Sequence, residues 1–212
     1  MCNNKSLRAA DTKQEAVINS YVVNTYFAHN YKSVEYVDDA NRQCKGIDVI
    51  VDDMKIDLKA QSSARYINNP TDTFILEVSF LDRNKNEYCG WFLDDSLKTT
   101  HYGFVWIRDA DVDENSRINK ESDIHNIELM LVDKKALHDY ILSKVTKEKL
   151  LSLAQDMRRT DTRTTWVDSE IKLSCNTVLY EKPVTIVVKK WLLKKFSVGH
   201  IIIRDKEVRG IA

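Results

Sequence analysis

The segment Lys45–Gln61, KGIDVIVDDMKIDLKAQ, constrains the fold more than any other stretch of this chain. Within it, Gly46–Val51 and Lys55–Gln61 alternate apolar and polar residues, the period of a half-buried strand. Asp52-Asp53 between the runs reads as a turn, so two neighbouring strands are predicted. Side chains alternate across a strand, so Ile56, Leu58 and Ala60 take one face while Lys55, Asp57, Lys59 and Gln61 take the other. Asp57 and Lys59 therefore project together, and Asp48 on the preceding strand is placed to join them. Two carboxylates and a lysine are a sufficient kit for holding Mg²⁺ and activating water against a phosphodiester. The bland counterpart is a same-face ion pair on a solvated sheet, which contributes little.

The rest of the chain supplies elements for a mixed sheet with helices. Asp11 with Gln14 three residues later predicts a capped helix running to about Ala28, with Ile18, Val22 and Tyr26 in its buried stripe. Glu15 sits one turn before Ile18 on that side; the alternative role for it is a first-turn acid facing the helix dipole. Residues 29–45 are polar and read as irregular. Phe74–Leu81, Glu87–Leu93, Tyr102–Ile107 and Ile127–Val132 read as strands. Asp109, Asp111 and Asp113 imitate the start of an EF-hand loop, but Glu114 and Lys120 stand where a glycine and a glutamate are required, so 109–123 reads as a solvated loop. Helices are predicted over Lys134–Lys144, after Thr146 and over Lys189–Phe196. Further strands are predicted at Glu170–Cys175, Thr177–Tyr180, Val184–Val188 and Ile201–Arg204. Trp91, Trp106 and Trp166 read as core residues, and His101 as a structural histidine.

A helix with an acidic residue, an Asp in a hairpin and then Asp-x-Lys on the next strand resembles the PD-(D/E)xK (restriction-endonuclease-like) nuclease superfamily. Here these are Glu15, Asp48 and Asp57-Leu58-Lys59. The resemblance covers roughly residues 11–108. Gly46-Ile47 departs from the family's Pro before Asp, and the bare [DE]xK triplet occurs five times in the chain, so its position on a strand carries the argument. The resemblance implies an α/β fold: a mixed central sheet with flanking helices and a restriction-endonuclease-like core in residues 1–132. Residues 133–212 would add a basic α+β portion. It also implies Mg²⁺ or Mn²⁺ held by Asp48, Asp57 and the backbone carbonyl of Leu58, with Glu15 holding or positioning an ion. Lys59 would orient water or neutralise phosphate, and Gln61 would hydrogen-bond the phosphate or the water. The activity implied is hydrolysis of DNA phosphodiesters. The alternative is the same fold without cleavage, binding nucleic acid or a protein partner.

Charge is unevenly distributed although the net charge is zero. From Asp133 onward there are 17 Lys+Arg against 10 Asp+Glu, which leaves 15 against 22 before it. An acidic half for a cation and a basic half for phosphate suit nucleic acid as partner. Candidate contacts are Arg65 with Tyr66, Arg158, Arg159 and Arg163, and Lys189, Lys190, Lys194 and Lys195 around Trp191. Homodimerisation is left open. Cys2, Cys44, Cys89 and Cys175 are widely spaced with no metal-binding pattern and read as reduced thiols, with a cytoplasmic location expected. No apolar run approaches the ~18 residues that span a bilayer, so no membrane partner is expected. Gly-rich phosphate loops, GxSxG elements and HExxH pairs are missing, which disfavours P-loop hydrolases, serine hydrolases and zinc proteases.

Overall fold

Helix α1 (Ala9–Val22) continues through a π-helical turn at Val23–Phe27 into the short α2 (Ala28–Asn30). Its stripe is buried as the 3.6-residue spacing predicts: Ile18, Tyr21 and Val22 are inaccessible, and Tyr26 and Phe27 follow on the widened turn. The computed structural model describes residues 9–37 and 39–210. Asp11 lies inside the helix rather than at its cap, so the capping-box reading does not hold. Gln14, its intended partner, instead turns inward to accept from Ile118 N (3.0 Å) and donate to the Ser62 carbonyl (2.5 Å).

After α1 and α2 come β1 (Val34–Tyr36), α3 (Ala40–Gln43), β2 (Val49–Val51), β3 (Met54–Ala60), β4 (Thr73–Leu81) and β5 (Glu87–Cys89). Then follow β6 (His101–Ala110), β7 (Ile124–Asp133), α4 (Lys134–Lys144), α5 (Lys147–Arg159) and β8 (Thr164–Trp166). The chain ends with β9 (Lys172–Cys175), β10 (Val184–Lys189), α6 (Lys190–Lys194), β11 (Ser197–Arg204) and β12 (Glu207–Gly210). It divides into two units that are discontinuous in sequence. The first takes the described part of Met1–Thr71, Lys98–Lys134 and the described part of Phe196–Ala212; the second takes Asp72–Leu97 and Lys135–Lys195. A crossing between units falls beside residue 133, but the last strands return to the first unit.

The first unit is a seven-stranded mixed sheet in the order β1-β2-β3-β6-β7-β11-β12, in which β3 and β6 form the parallel pair. Asp52 at φ 48° makes the β2–β3 turn, a left-handed position that aspartate tolerates. One face of the sheet packs Ile56, Leu58, Val105, Ile107, Leu129, Leu131, Ile201 and Ile203 against Ile18, Val22 and Phe27. The alternation of β3 therefore sends Asp57 and Lys59 to the opposite face. The first strand of the hairpin is shorter than its alternation suggests. Gly46 adopts φ 71°, and the N–H groups of Lys45, Gly46 and Ile47 are spent on turn bonds to Arg42 and Gln43. Residues 29–45, expected to be irregular, contribute β1 by pairing with β2.

The second unit is a five-stranded antiparallel sheet, β5-β4-β10-β9-β8, with α5 packed on β4 and β9. Thr146 caps α5 by accepting from Lys149 N at 3.2 Å, and Leu150, Ala154 and Met157 face inward. Two strand expectations are corrected here. Thr177–Tyr180 is a turn, because the Asn176 side chain takes the Val178 and Leu179 N–H groups that a strand would use. The strand from Glu87 stops at Cys89, because Gly90 N bonds Val78 O and Phe92 N bonds Glu77 O, turning the chain back on β4. A Cβ on Gly90 would lie 2.4 Å from the Glu77 carbonyl oxygen. Gly90→Ala is thus expected to destabilise the protein by about 1–3 kcal/mol, read as a lower denaturation midpoint with an unchanged slope.

Trp106 is fully buried as expected, but Trp166 is 63% exposed at the edge strand β8, correcting its assignment to the core. Cys44 is disulfide-bonded whereas Cys89 and Cys175 are free thiols, so the expectation of reduced thiols fails at Cys44. Cys2 lies outside the described residues. No described helix is long and apolar enough to cross a membrane.

Candidate functional site

Asp48 sits one residue before β2. Its backbone is held on both sides, by Val37 N to Asp48 O and by Asp48 N to Ile56 O, each 2.9 Å. The pairing of β2 with β3 begins only at Val49–Ile56, so the side of β3 beyond Ile56 faces no strand there. The Asp48 carboxylate fills the vacancy: its Oδ2 accepts the Leu58 N–H at 2.8 Å. The Leu58 carbonyl leaves β3 on the same side as that N–H, as in any strand residue.

Asp57 lies on the face opposite the α1 core and is 2% exposed. Its Oδ1 receives the Lys59 ammonium at 2.7 Å, and its Oδ2 is buried with no hydrogen-bond partner among the described residues. Burial pushes the Asp57 carboxyl up to about 7; Lys59 opposes the shift and the neighbouring Asp48 charge adds to it. Burial works against the Lys59 charge, but the Asp57 and Asp48 carboxylates, with a contribution from Glu15, hold its pKa above the ordinary lysine value. Lys59 keeps 31% of its side chain in solvent, so it is the accessible member of the cluster.

Strand β6 supplies residues that sequence reasoning missed. Its parallel register sets Tyr102 opposite Asp57 and Gly103 opposite Leu58. Tyr102 is fully buried, and burial together with the Asp57 charge raises its phenol well above the ordinary range. A Cβ on Gly103 would come 2.4 Å from Leu58 Cδ2, so glycine lets β6 lie close under the site. Only the parallel pairing, which the sequence did not disclose, brings these residues to Asp57.

The remaining catalytic candidates are placed less centrally. Glu15 is exposed on α1, and it is felt at Lys59 as charge. Gln61 donates to Thr71 Oγ1 at 3.0 Å and accepts from Thr71 N at 3.1 Å, so its amide clasps the loop that leaves β3. His101 bonds its own neighbour, Nδ1 to Thr100 Oγ1 at 2.9 Å, and burial lowers its pKa despite Asp133.

Among the basic candidates, Arg65 and Tyr66 belong to the first unit, with the guanidinium 5.8 Å from the tyrosine ring. The others belong to the second. Arg158 is 8% exposed and spends its guanidinium on Glu87, Ser79 Oγ and the Lys182 carbonyl, which makes it a structural clamp. Arg159 is exposed and pairs Asp156 at 2.9 Å; Lys190 lies 3.7 Å from Asp72. Arg163, Lys189, Lys194 and Lys195 are exposed, and Lys195 stands 4.5 Å above the half-exposed Trp191 ring.

A second buried acid shares the face of Asp57. Glu128 on β7 is 2% exposed and accepts from Arg108 Nε at 3.0 Å, from Arg108 Nη2 and from His200 Nε2 at 2.7 Å. No periodicity marked it, since Glu128 interrupts the apolar run of β7.

Among the described residues no three His, Cys, Asp or Glu side chains form a metal cluster. Asp48 and Asp57 fit a hard cation that keeps most of its waters: they are oxygen donors, two in number, and Asp57 Oδ2 is an unsatisfied buried acceptor. No protein-family model, no curated protein and no solved structure matches this chain.

Proposed function

We propose that the chain is a metal-dependent nuclease of PD-(D/E)xK type, with a restriction-endonuclease-like core in the first unit and its site at Asp48, Asp57 and Lys59. The observation that carries this reading is Asp57 Oδ2. A buried carboxylate oxygen that accepts from no donor among the described residues and sits beside a second carboxylate is costly unless a cation, or a proton shared with Asp48, completes it. Asp48, Asp57 and the Leu58 carbonyl would hold Mg²⁺ or Mn²⁺. Bound there, the ion supplies a water of lowered pKa and offsets charge on the phosphate.

The chain's own residues do the rest. The Leu58 N–H fixes Asp48, so its carboxylate does not have to be ordered on binding. Lys59 exchanges its bond to Asp57 for a phosphate oxygen or the attacking water, since its charge is accessible and firmly retained. Burial of Asp57 and Tyr102 keeps bulk water from one side of the site. Exposed Arg163, Lys189, Lys194 and Lys195 suit a polyanion such as DNA as substrate. A second reading is the same fold acting only as a binding protein; it is favoured by the closed Asp57–Lys59 pair, in which the ammonium offsets the Asp57 charge without a metal.

The test is cleavage of supercoiled and linear DNA, single- and double-stranded, in Mg²⁺, Mn²⁺ or EDTA. Wild type is expected to cut only with metal, and Lys59→Ala, folded by circular dichroism but less stable because buried Asp57 loses its counter-charge, to lose about 10²-fold or more. No cleavage by wild type on any substrate would leave the binding reading, and equal cleavage by Lys59→Ala would remove Lys59 from the site.

A further inference from the structure

Strand register in the second unit lines up four side chains across four strands: Trp166, Lys172, Val187 and Ile75. Adjacent strands lie about 4.8 Å apart, so the row spans about 14 Å. Both ends are in solvent, Trp166 at 63% and Ile75 at 54%. These residues are neither core nor scattered singly. Three apolar side chains and Lys172 form one row, exposed at its two ends and half-buried at Lys172 and Val187, and exposed apolar groups aligned in this way mark an interaction surface. Lys172 holds its ammonium 5.8 Å from the Trp166 ring, and Lys189, two residues beyond Val187 on the same face, is exposed opposite Thr73. Neither lysine is in an ion pair among the described residues.

We propose that this face binds an unpaired nucleic-acid strand, with a base stacked on Trp166 and phosphates held by Lys172 and Lys189. An exposed aromatic on the edge strand of a sheet offers a platform that every base can use, whatever its sequence. In a duplex the base faces are already covered by stacking, so a flat row of this kind favours single strands. The unpaired lysines decide between nucleic acid and an apolar protein partner. A protein surface closing over the row would desolvate both ammonium groups with nothing to neutralise them, whereas a phosphodiester chain matches them. The inference is independent of the cleavage site, because binding on this face needs no metal.

The test is fluorescence anisotropy of labelled oligothymidylate, and of a duplex of equal length, with the full chain in EDTA at about 50 and about 200 mM salt. Trp166→Ala is expected to weaken single-strand binding by about tenfold and Trp166→Phe by much less, with duplex binding hardly changed. Lys172→Ala/Lys189→Ala is expected to lower the salt dependence of single-strand binding by about 1.4 in log–log slope. The proposal falls if the single strand is not bound in EDTA, if Trp166→Ala binds like wild type, or if duplex binding shows the same loss. It also falls if size-exclusion chromatography shows a dimer that Trp166→Ala dissolves while oligonucleotide is ignored, since the occupant is then a second copy. Were Trp166→Ala misfolded by circular dichroism, an unchanged salt slope in the double lysine variant would overturn the proposal on its own. Loss of this binding with cleavage intact, or the reverse, separates the two sites.

Discussion

Asp57→Asn is expected to abolish metal-dependent cleavage and at the same time to raise the melting temperature at neutral pH. On the proposed reading, the first effect follows from losing an anionic metal ligand whose contribution to transition-state charge is several kcal/mol, a fall of about a thousandfold or more. The second follows from burial. Asp57 has its carboxyl pushed up to about 7, from 3.8, by desolvation, with the effect of Asp48 added and that of Lys59 already subtracted. The folded protein therefore binds a proton that the unfolded chain releases between about pH 4 and 7. Stability from this group is present below about pH 4 and is lost as pH rises through about 7. An amide has no charge to desolvate, so the advantage of Asp57→Asn should grow across that window, reach its full size near pH 8 and vanish near pH 4. Melting curves at both pH values decide it. If Asp57→Asn is no more stable than wild type at pH 8, burial does not strain this carboxylate, and the unsatisfied Oδ2 loses its force as an argument for a cation. If it is more stable and equally active, Asp57 carries no chemistry.

Part of the candidate site was legible in the sequence. The alternation of Lys55–Gln61 fixes the shared face of Asp57 and Lys59 through strand geometry alone, and the two are indeed 2.7 Å apart. Asp48 was legible because a hairpin sets its position against Asp57, although it proves to hold β3 through the Leu58 N–H rather than from within a strand. Tyr102 and Gly103 were not legible. They reach Asp57 through a parallel pairing of strands more than forty residues apart, with a whole sheet-forming segment of the second unit between them. The same non-local pairing explains the discontinuous units, since β4 and β5 leave the first sheet and β11 returns to it. Trp166 misled for a related reason. Hydrophobicity predicts burial only where a neighbouring strand or helix arrives to cover it, and β8 is an edge. Gln14 and Glu15 show the limit of helical periodicity: it places them at the two edges of the Ile18 stripe, but not which of them turns inward.

Arg108→Ala is expected to cost about 3–5 kcal/mol, or about 6–20 °C in melting temperature, more than most single changes in the first unit. Its side chain is 40% exposed, which by itself would mark a surface ion pair of little weight. The partner decides otherwise. Glu128 is 2% exposed in the central strand β7, where His200 Nε2 also meets it at 2.7 Å. Removing Arg108 leaves a buried carboxylate short of a counter-charge, whereas removing the carboxylate lets Arg108 turn to water. Adding Glu128→Leu to Arg108→Ala should therefore recover stability, because it removes the charge that cannot leave and fills the space with apolar volume. A double-mutant cycle in denaturant measures this directly. A double variant less stable than Arg108→Ala would mean that Glu128 contributes through packing and His200 rather than as a charge held by Arg108. An Arg108→Ala loss under about 1 kcal/mol would return the pair to the surface class.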